Sequence, residues 1–261
     1  MIRKLTDTDR GMLMQYLEKQ PALNLFLIGD VENFGMEQPF MEIWGEFDEA
    51  GAFRAVLLRY YRSYLCYAEG SFDVDGLSAI IRRDPDAEMM SGAEEVVGAF
   101  RNALQFRKEK PMYFAEMTAL ADANIEAPAG SLPIRIADVE DVEKICVLLD
   151  GIEEFESDSR QSLHRTLESG TGRVYYAEEE GRVVAVASTT AENSKSAMVV
   201  GVATDPAMRG RGMATRIVGS LCADVLAEGR TLCLFYNNPD AGKIYKRLGF
   251  RDIGRWLMMY F

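Results

Sequence analysis

Asp205-Pro206-Ala207-Met208-Arg209-Gly210-Arg211-Gly212-Met213-Ala214-Thr215 lies between an apolar run and an amphipathic one. Upstream, Met198-Val199-Val200-Gly201-Val202-Ala203-Thr204 is short, rich in β-branched residues and bounded by Pro206, so it reads as a buried strand. Downstream, Met213, Ile217, Leu221 and Val225 recur every fourth residue. Val218 and Cys222 widen that stripe, Arg216, Asp224 and Glu228 face away, and Gly229 supplies the stop. Gly210 and Gly212 let the backbone approach a ligand closely, and the first turn of the helix offers unpaired N–H groups and a partial positive charge. A pyrophosphate suits that loop. A dinucleotide fingerprint does not, because the third glycine is replaced by Thr215 and Leu232 to Phe235 carry no acid. No Gly-Lys-Ser/Thr follows to make a Walker loop, and a solvated turn holding two arginines is the remaining alternative.

A second cassette follows. Thr231-Leu232-Cys233-Leu234-Phe235-Tyr236 reads as a strand and Pro239 to Leu248 as a short helix, with Asn238 as N-cap, Pro239 at the first helical position, Asp240 in the first turn and Gly249 as the stop. The pattern Arg209-x-x-Gly212-x-Ala214, then Asn238, then Tyr245 seven residues on and Leu248-Gly249-Phe250, resembles the GNAT superfamily of acyl-CoA-dependent N-acyltransferases. The resemblance covers roughly Leu132 to Phe261.

Within that stretch, Leu132 to Ile136 starts as a strand. Val139, Val142, Ile145, Cys146 and Leu149 take helical spacing, and a further helix is predicted over Arg160 to Leu167. Arg173 to Glu178 and Arg182 to Thr190 read as a hairpin turned at Glu180-Gly181, and Ile253 to Phe261 is expected to close this sheet as its last strand. The chain has 261 residues, which favours two domains. The first half runs through the same kinds of element: Ile2 to Asp7 opens it much as Ile134 to Asp138 opens the second half. A hairpin follows through Met41 to Glu69, turned at Glu49-Ala50-Gly51, and helices at Val74 to Arg82 and Ala93 to Leu104 flank a short strand at Ala87 to Met90. The fold expected is α/β with mixed sheets: two GNAT-like domains in tandem, each a twisted mixed sheet flanked by helices. Their boundaries are 1–118 for a degenerate N-terminal copy, 119–131 for a linker of small residues, and 132–261 for the catalytic domain. The first copy is acidic from Phe72 to Leu77, where a phosphate would bind, and is expected to have lost the cofactor.

Composition narrows the function. A net charge of −12 argues against a nucleic-acid partner and suits a cationic substrate. No stretch reaches the roughly 20 apolar residues of a membrane span. The N-terminus does not read as a signal peptide, so a cytoplasmic enzyme without a membrane partner is expected, with self-association into a homodimer left open. Cys66, Cys146, Cys222 and Cys233 lack metal-site spacing and read as reduced core thiols, and no metal is expected. His164 is the one histidine, and no nucleophile motif accompanies it.

The resemblance implies an N-acetyltransferase using acetyl-CoA as co-substrate and acting on a primary amine of a small molecule or peptide by direct attack. It implies Tyr245 as the acid for the departing thiolate. Backbone groups of Val202, Ala203 and Thr204 would hold the pantetheine arm. Arg209, Gly210, Arg211, Gly212, Met213, Ala214 and Thr215 would hold the pyrophosphate, and Asn238 would bind the cofactor arm or cap its helix. The proton acceptor for the amine is unassigned: Glu192, Glu153, Glu154, Glu156 and a water relay are all open. Met198 and the Tyr175-Tyr176 pair are candidates for shaping the acceptor cleft or for plain core. The absence of an obvious base keeps a noncatalytic acyl-CoA-binding regulatory module as the alternative.

Overall fold

The computed structural model describes residues 1–121, 132–152 and 159–261. They form two compact units, Met1–Phe114 with Ile253–Phe261, and Ala115–Asp252. The chain runs through β1 (Ile2–Lys4), α1 (Arg10–Leu17), α2 (Leu25–Phe34), β2 (Met41–Phe47), β3 (Phe53–Tyr60), β4 (Ser63–Ala68), α3 (Val74–Ile81), β5 (Met89–Ala93), α4 (Glu94–Val97) and β6 (Lys108–Met117). It continues with β7 (Ile134–Ile136), α5 (Val142–Asp150), α6 (Ser159–Ser169), β8 (Val174–Glu179), β9 (Arg182–Thr190), β10 (Ser196–Thr204), α7 (Met213–Ala227), β11 (Thr231–Tyr236), α8 (Pro239–Leu248) and β12 (Arg251–Tyr260).

The two halves repeat one topology. In the first unit β1 to β4 pair antiparallel in sequence order and β4 pairs parallel with β5. In the second, β7 to β10 pair antiparallel in order and β10 pairs parallel with β11. Each parallel pair is joined by a helix, α3 or α7, because parallel neighbours need a crossover that a tight turn cannot supply. The fold is therefore the tandem expected from sequence. In the first half, the helix predicted over Ala93 to Leu104 is shorter, four residues of α4 followed by a 3-10 turn over Gly98–Asn102.

Alternation along the strands sorts the cores. In the second unit Ala197 and Val199 of β10 and Leu232 and Leu234 of β11 pack under α7 and α8 with Ile217, Leu221, Tyr245 and Leu248. On the other side Val174, Tyr176, Val183 and Val186 pack under α5 with Ile145 and Leu149. In the first unit Leu57, Tyr64, Leu77, Ile81 and Phe100 make the corresponding core.

One strand differs from expectation. The final strand does not close the sheet of the half that precedes it: β12 pairs antiparallel with β5, from Trp256 opposite Ala93 to Tyr260 opposite Met89. The first unit's sheet therefore runs β1-β2-β3-β4-β5-β12-β6, and the contact boundaries fall at Phe114 and Asp252 rather than at 118 and 131. Residues 122–131 of the expected linker lie outside the described residues. The physical reason is side-chain fit. Leu257 and Met259 complete the core around Leu77 and Phe100. Trp256, pointing the other way, meets Phe114 at 5.4 Å and Phe26 at 6.4 Å between ring centroids.

Trp256 is 2% exposed, so Trp256→Ala is expected to cost about 3–5 kcal/mol of stability, the usual penalty for truncating a buried aromatic. Urea unfolding reads it; an unshifted midpoint would show that β12 adds little to the first unit.

Candidate active site

The site starts where two strands part. β10 and β11 keep parallel register from Ser196 opposite Thr231 to Val199 opposite Leu234, and no further. Beyond that point β10 shifts register against β9 between Val200 and Ala203, at Gly201, whose φ is +62°. A bulge of this kind bends its strand and leaves backbone groups unpaired. The gap it opens ends at Val202, Ala203 and Thr204, and the buried Thr204 hydroxyl there has no hydrogen-bond partner among the described residues.

The chain then turns through a 3-10 helix at Pro206–Met208. Asp205 anchors this turn: its carboxylate accepts the Ala207 N–H at 2.9 Å and pairs with Arg182 at 2.7 Å. Arg209 folds back to donate to the Thr204 carbonyl at 3.3 Å. Gly210 and Gly212 both have positive φ, 76° and 75°, and nothing lies within 4 Å of where either Cβ would stand. Backbone conformation, and not crowding, is what favours glycine there. Gly212 is the N-cap of α7 and no side chain caps that helix. The N–H groups of Met213, Ala214 and Thr215 are therefore left facing outward with the positive end of the helix dipole. Uncapped N–H groups, an open approach and an orphaned hydroxyl on the adjoining strand suit a phosphate-bearing cofactor arm.

The same place in the first unit is closed. The Asp73 carboxylate caps α3 by accepting the Gly76 N–H at 2.8 Å, and the Asp73 N–H donates to the buried Glu46 at 2.8 Å. Carboxylates already occupy the positions a phosphate would need.

Asn238 caps α8, its side-chain oxygen accepting the Asp240 N–H at 2.9 Å. Tyr245 sits about two turns further along α8 and is 9% exposed. Its ring meets those of Tyr236 and Phe250 edge-on, each at 5.9 Å. Burial, with a smaller contribution from the Cys222 thiol, pushes the Tyr245 phenol up to about 12, so it stays protonated at neutral pH and keeps a proton to donate. Sequence reasoning did not single out Tyr236. Its hydroxyl donates to Asp252 at 2.7 Å, and a Cβ on Gly242 would stand 2.5 Å from its ring. A glycine inside an otherwise regular helix was the available signal.

The expected acids fare differently. Glu153, Glu154 and Glu156 lie outside the described residues. Glu192 is neither a solvated carboxylate nor a free base: it is buried at 9% exposure, accepts from Thr189, and pairs with Arg173 at 2.8 Å and Arg230 at 2.9 Å. Burial alone would raise the Glu192 carboxyl, but these hydrogen bonds and charges hold it below the usual range. Met198, Tyr175 and Tyr176 are core, at 1%, 3% and 3% exposure, and the Tyr175 hydroxyl is engaged by Asp224. All four cysteines are unpaired and buried. Among the described residues no cluster of three His, Cys, Asp or Glu is placed to hold a metal, and no helix is long and apolar enough to cross a membrane.

Residues 139–250 match the family model described as the Acetyltransferase (GNAT) family. No curated protein matches the chain. Among solved structures, an acetyltransferase of the GNAT family from Colwellia psychrerythraea is similar with a TM-score of 0.59 at 16% identity, over 100% of this chain and 99% of the other. The tandem GNAT protein from the clavulanic acid biosynthesis pathway is similar at 0.60 and 15% identity, over 100% and 98% of the two chains. A GCN5-related N-acetyltransferase from Kribbella flavida gives 0.60 at 19%, over 79% of this chain and 86% of that one. At these identities the likeness is one of fold, and it runs the length of the tandem.

The Glu192 cluster carries a pH signature. Hydrogen bonds from Arg173 and Arg230 also bring Glu228 down to about 2, though that side chain is 44% exposed and its pairing is screened. Both carboxyls lie lower folded than the unfolded value of about 4.3. Their stabilisation is therefore present above that pH and lost as pH falls through their lowered folded values. Glu192→Gln is expected to flatten the acid limb of stability between pH 5 and 3, measured by urea midpoints; an unchanged slope would remove the cluster from the cause of acid lability.

Proposed function

Because residues 139–250 form a GNAT acetyltransferase domain, we propose that the chain transfers an acetyl group from acetyl-CoA to a primary amine of a small molecule or peptide. The observation that carries this reading is the uncapped start of α7 at the mouth of the gap between β10 and β11. Acetyl-CoA, when bound, supplies an acyl carbonyl activated by its thioester. The chain's own groups then divide the work. Backbone N–H and C=O groups of Val202, Ala203 and Thr204 pair with the amides of the cofactor arm as an added strand would, and the Thr204 hydroxyl gains the partner it lacks. The amides of Gly210 to Thr215 hold the pyrophosphate, with Arg209 and Arg211 supplying cationic charge around it. Asn238 keeps its amide nitrogen for the arm while its oxygen caps α8.

Tyr245 donates to the sulfur as the C–S bond breaks. A phenol raised to about 12 is a weaker acid than a thiol near 8.5, so its contribution is a hydrogen bond to the developing thiolate more than full proton transfer. The acidic surface favours an ammonium acceptor, and four reduced, buried cysteines suit the cytoplasm as the compartment. The carboxylate-capped α3 supports one cofactor per chain, held by the second unit.

Titration calorimetry with CoA is expected to give one site per chain, and Gly212→Asp to abolish it. That substitution adds a negative charge at the helix start and forces a Cβ onto a left-handed residue. A folded Gly212→Asp protein that binds CoA like the parent would remove the loop from the account. Tyr245→Phe keeps the ring and removes the donor. In an assay of thiol release from acetyl-CoA with a panel of polyamines, amino sugars and amino-acid amides, it is expected to lower kcat roughly ten- to a thousandfold with CoA affinity unchanged. Parental turnover by that variant would reduce Tyr245 to a packing residue.

A further inference from the structure

The amine must lose a proton, and the two strands bordering the gap bear no carboxylate between Ser196 and Thr204 or between Thr231 and Tyr236. The end of β6 provides one. Side chains alternate along a strand, and Ala115 and Met117 pack into the core under α7 and α8 with Leu232 and Leu234. Glu116, between them, therefore points to the opposite face. Cys233 of β11, the strand next to β6, points there too, and its thiol, raised by burial, is raised further by the negative charge of Glu116. Cys233 stands opposite Met198, one residue before the last paired position of β10 and β11. Glu116 thus lies one strand from the gap, across β11, on the face away from the helix that carries Tyr245.

Its state separates it from the other acids. Glu116 is half-buried and makes no hydrogen bond or ion pair among the described residues. The remaining described carboxylates of this unit are held by cations, as Asp205 is by Arg182 and Asp252 by Lys246. Failing that, they accept a hydrogen bond, as Asp224 does from Tyr175, or stand in open solvent, as Glu168 and Glu180 do.

We propose that Glu116 is the catalytic base: it receives the acceptor's ammonium and takes its proton. This rests on the acetyl transfer proposed above. The ammonium gives one proton to the Glu116 carboxylate, and the freed nitrogen lone pair forms the C–N bond with the acyl carbon. The tetrahedral adduct collapses as the C–S bond breaks, and the second nitrogen proton leaves to the thiolate, whose sulfur Tyr245 hydrogen-bonds. The Glu116 carboxyl then returns its proton to water. One amide, one thiol and one proton result.

The test uses the full chain and whichever amine of the panel gives the fastest parental thiol release. Glu116→Gln is isosteric and is expected to lower kcat at least a hundredfold, as loss of a general base does, with CoA affinity by calorimetry unchanged. Glu116→Ala is expected to regain part of its rate when formate is added as an external proton acceptor. Parental turnover by Glu116→Gln would overturn the assignment and leave acetyl transfer intact. Loss of CoA binding by both variants, or a Glu116→Ala rate indifferent to formate, would make Glu116 a structural residue and also overturn it. A parent that releases no thiol with any amine would overturn the transferase reading together with this inference.

Discussion

Val199 and Leu234 are the last residues at which β10 and β11 face each other in register, and the rest of the site follows from their parting. A parallel pair kept in register to its ends would cover its own backbone groups and offer a cofactor nothing. The bulge around Gly201 pulls β10 aside, so the strand that leads into the loop arrives with polar groups uncovered. The loop then delivers α7 with its first turn open. The ligand-binding crevice outside the carboxyl ends of parallel strands is a general consequence of such sheets. Here the strand gap and the bare helix start fall at the same end, which is what makes the place chemically usable.

The first unit shows the same architecture without that coincidence. Its parallel pair β4 and β5 and its crossover helix α3 match the second unit strand for strand. Yet Asp73 fills the first turn of α3 and Glu46 braces Asp73 from a neighbouring strand. A helix start whose Gly76 N–H is already engaged by its own chain offers a phosphate less, and two carboxylates repel one. The two units thus share a topology and differ at the start of their crossover helices.

How far the sequence could be read depended on whether a feature was local. The start of α7, the caps of α8 at Asn238 and Gly249, and the hairpin at Glu180-Gly181 are written in consecutive residues, and the structure places each where spacing and turn chemistry put it. The acidic stretch around Asp73 was visible for the same reason. What could not be read is pairing at long range. Nothing in Arg251 to Tyr260 says that its partner is Met89 to Ala93. Glu192 looked like any hairpin carboxylate, because only the fold brings Arg173 and Arg230 onto it. Glu116 fell into the wrong half, since the boundary drawn from composition passed just beyond it. Tyr245 was legible as a residue, but its buried, protonated state came only from the rings packed around it.

The pairing of β12 with β5 also has a temporal side. A ribosome makes Met89 long before Tyr260, and domains ordinarily fold as they emerge. Here the earlier unit cannot finish its sheet on emergence. The edge of β5 stays open, with Phe26 and Phe114 still lacking the indole that separates them from water, while the entire later unit is made. An open strand edge is a template for pairing with other chains, and closing so large a loop in sequence slows folding. The half made first is thus the half completed last, and its strand edge stays open over an interval set by the length of the second unit.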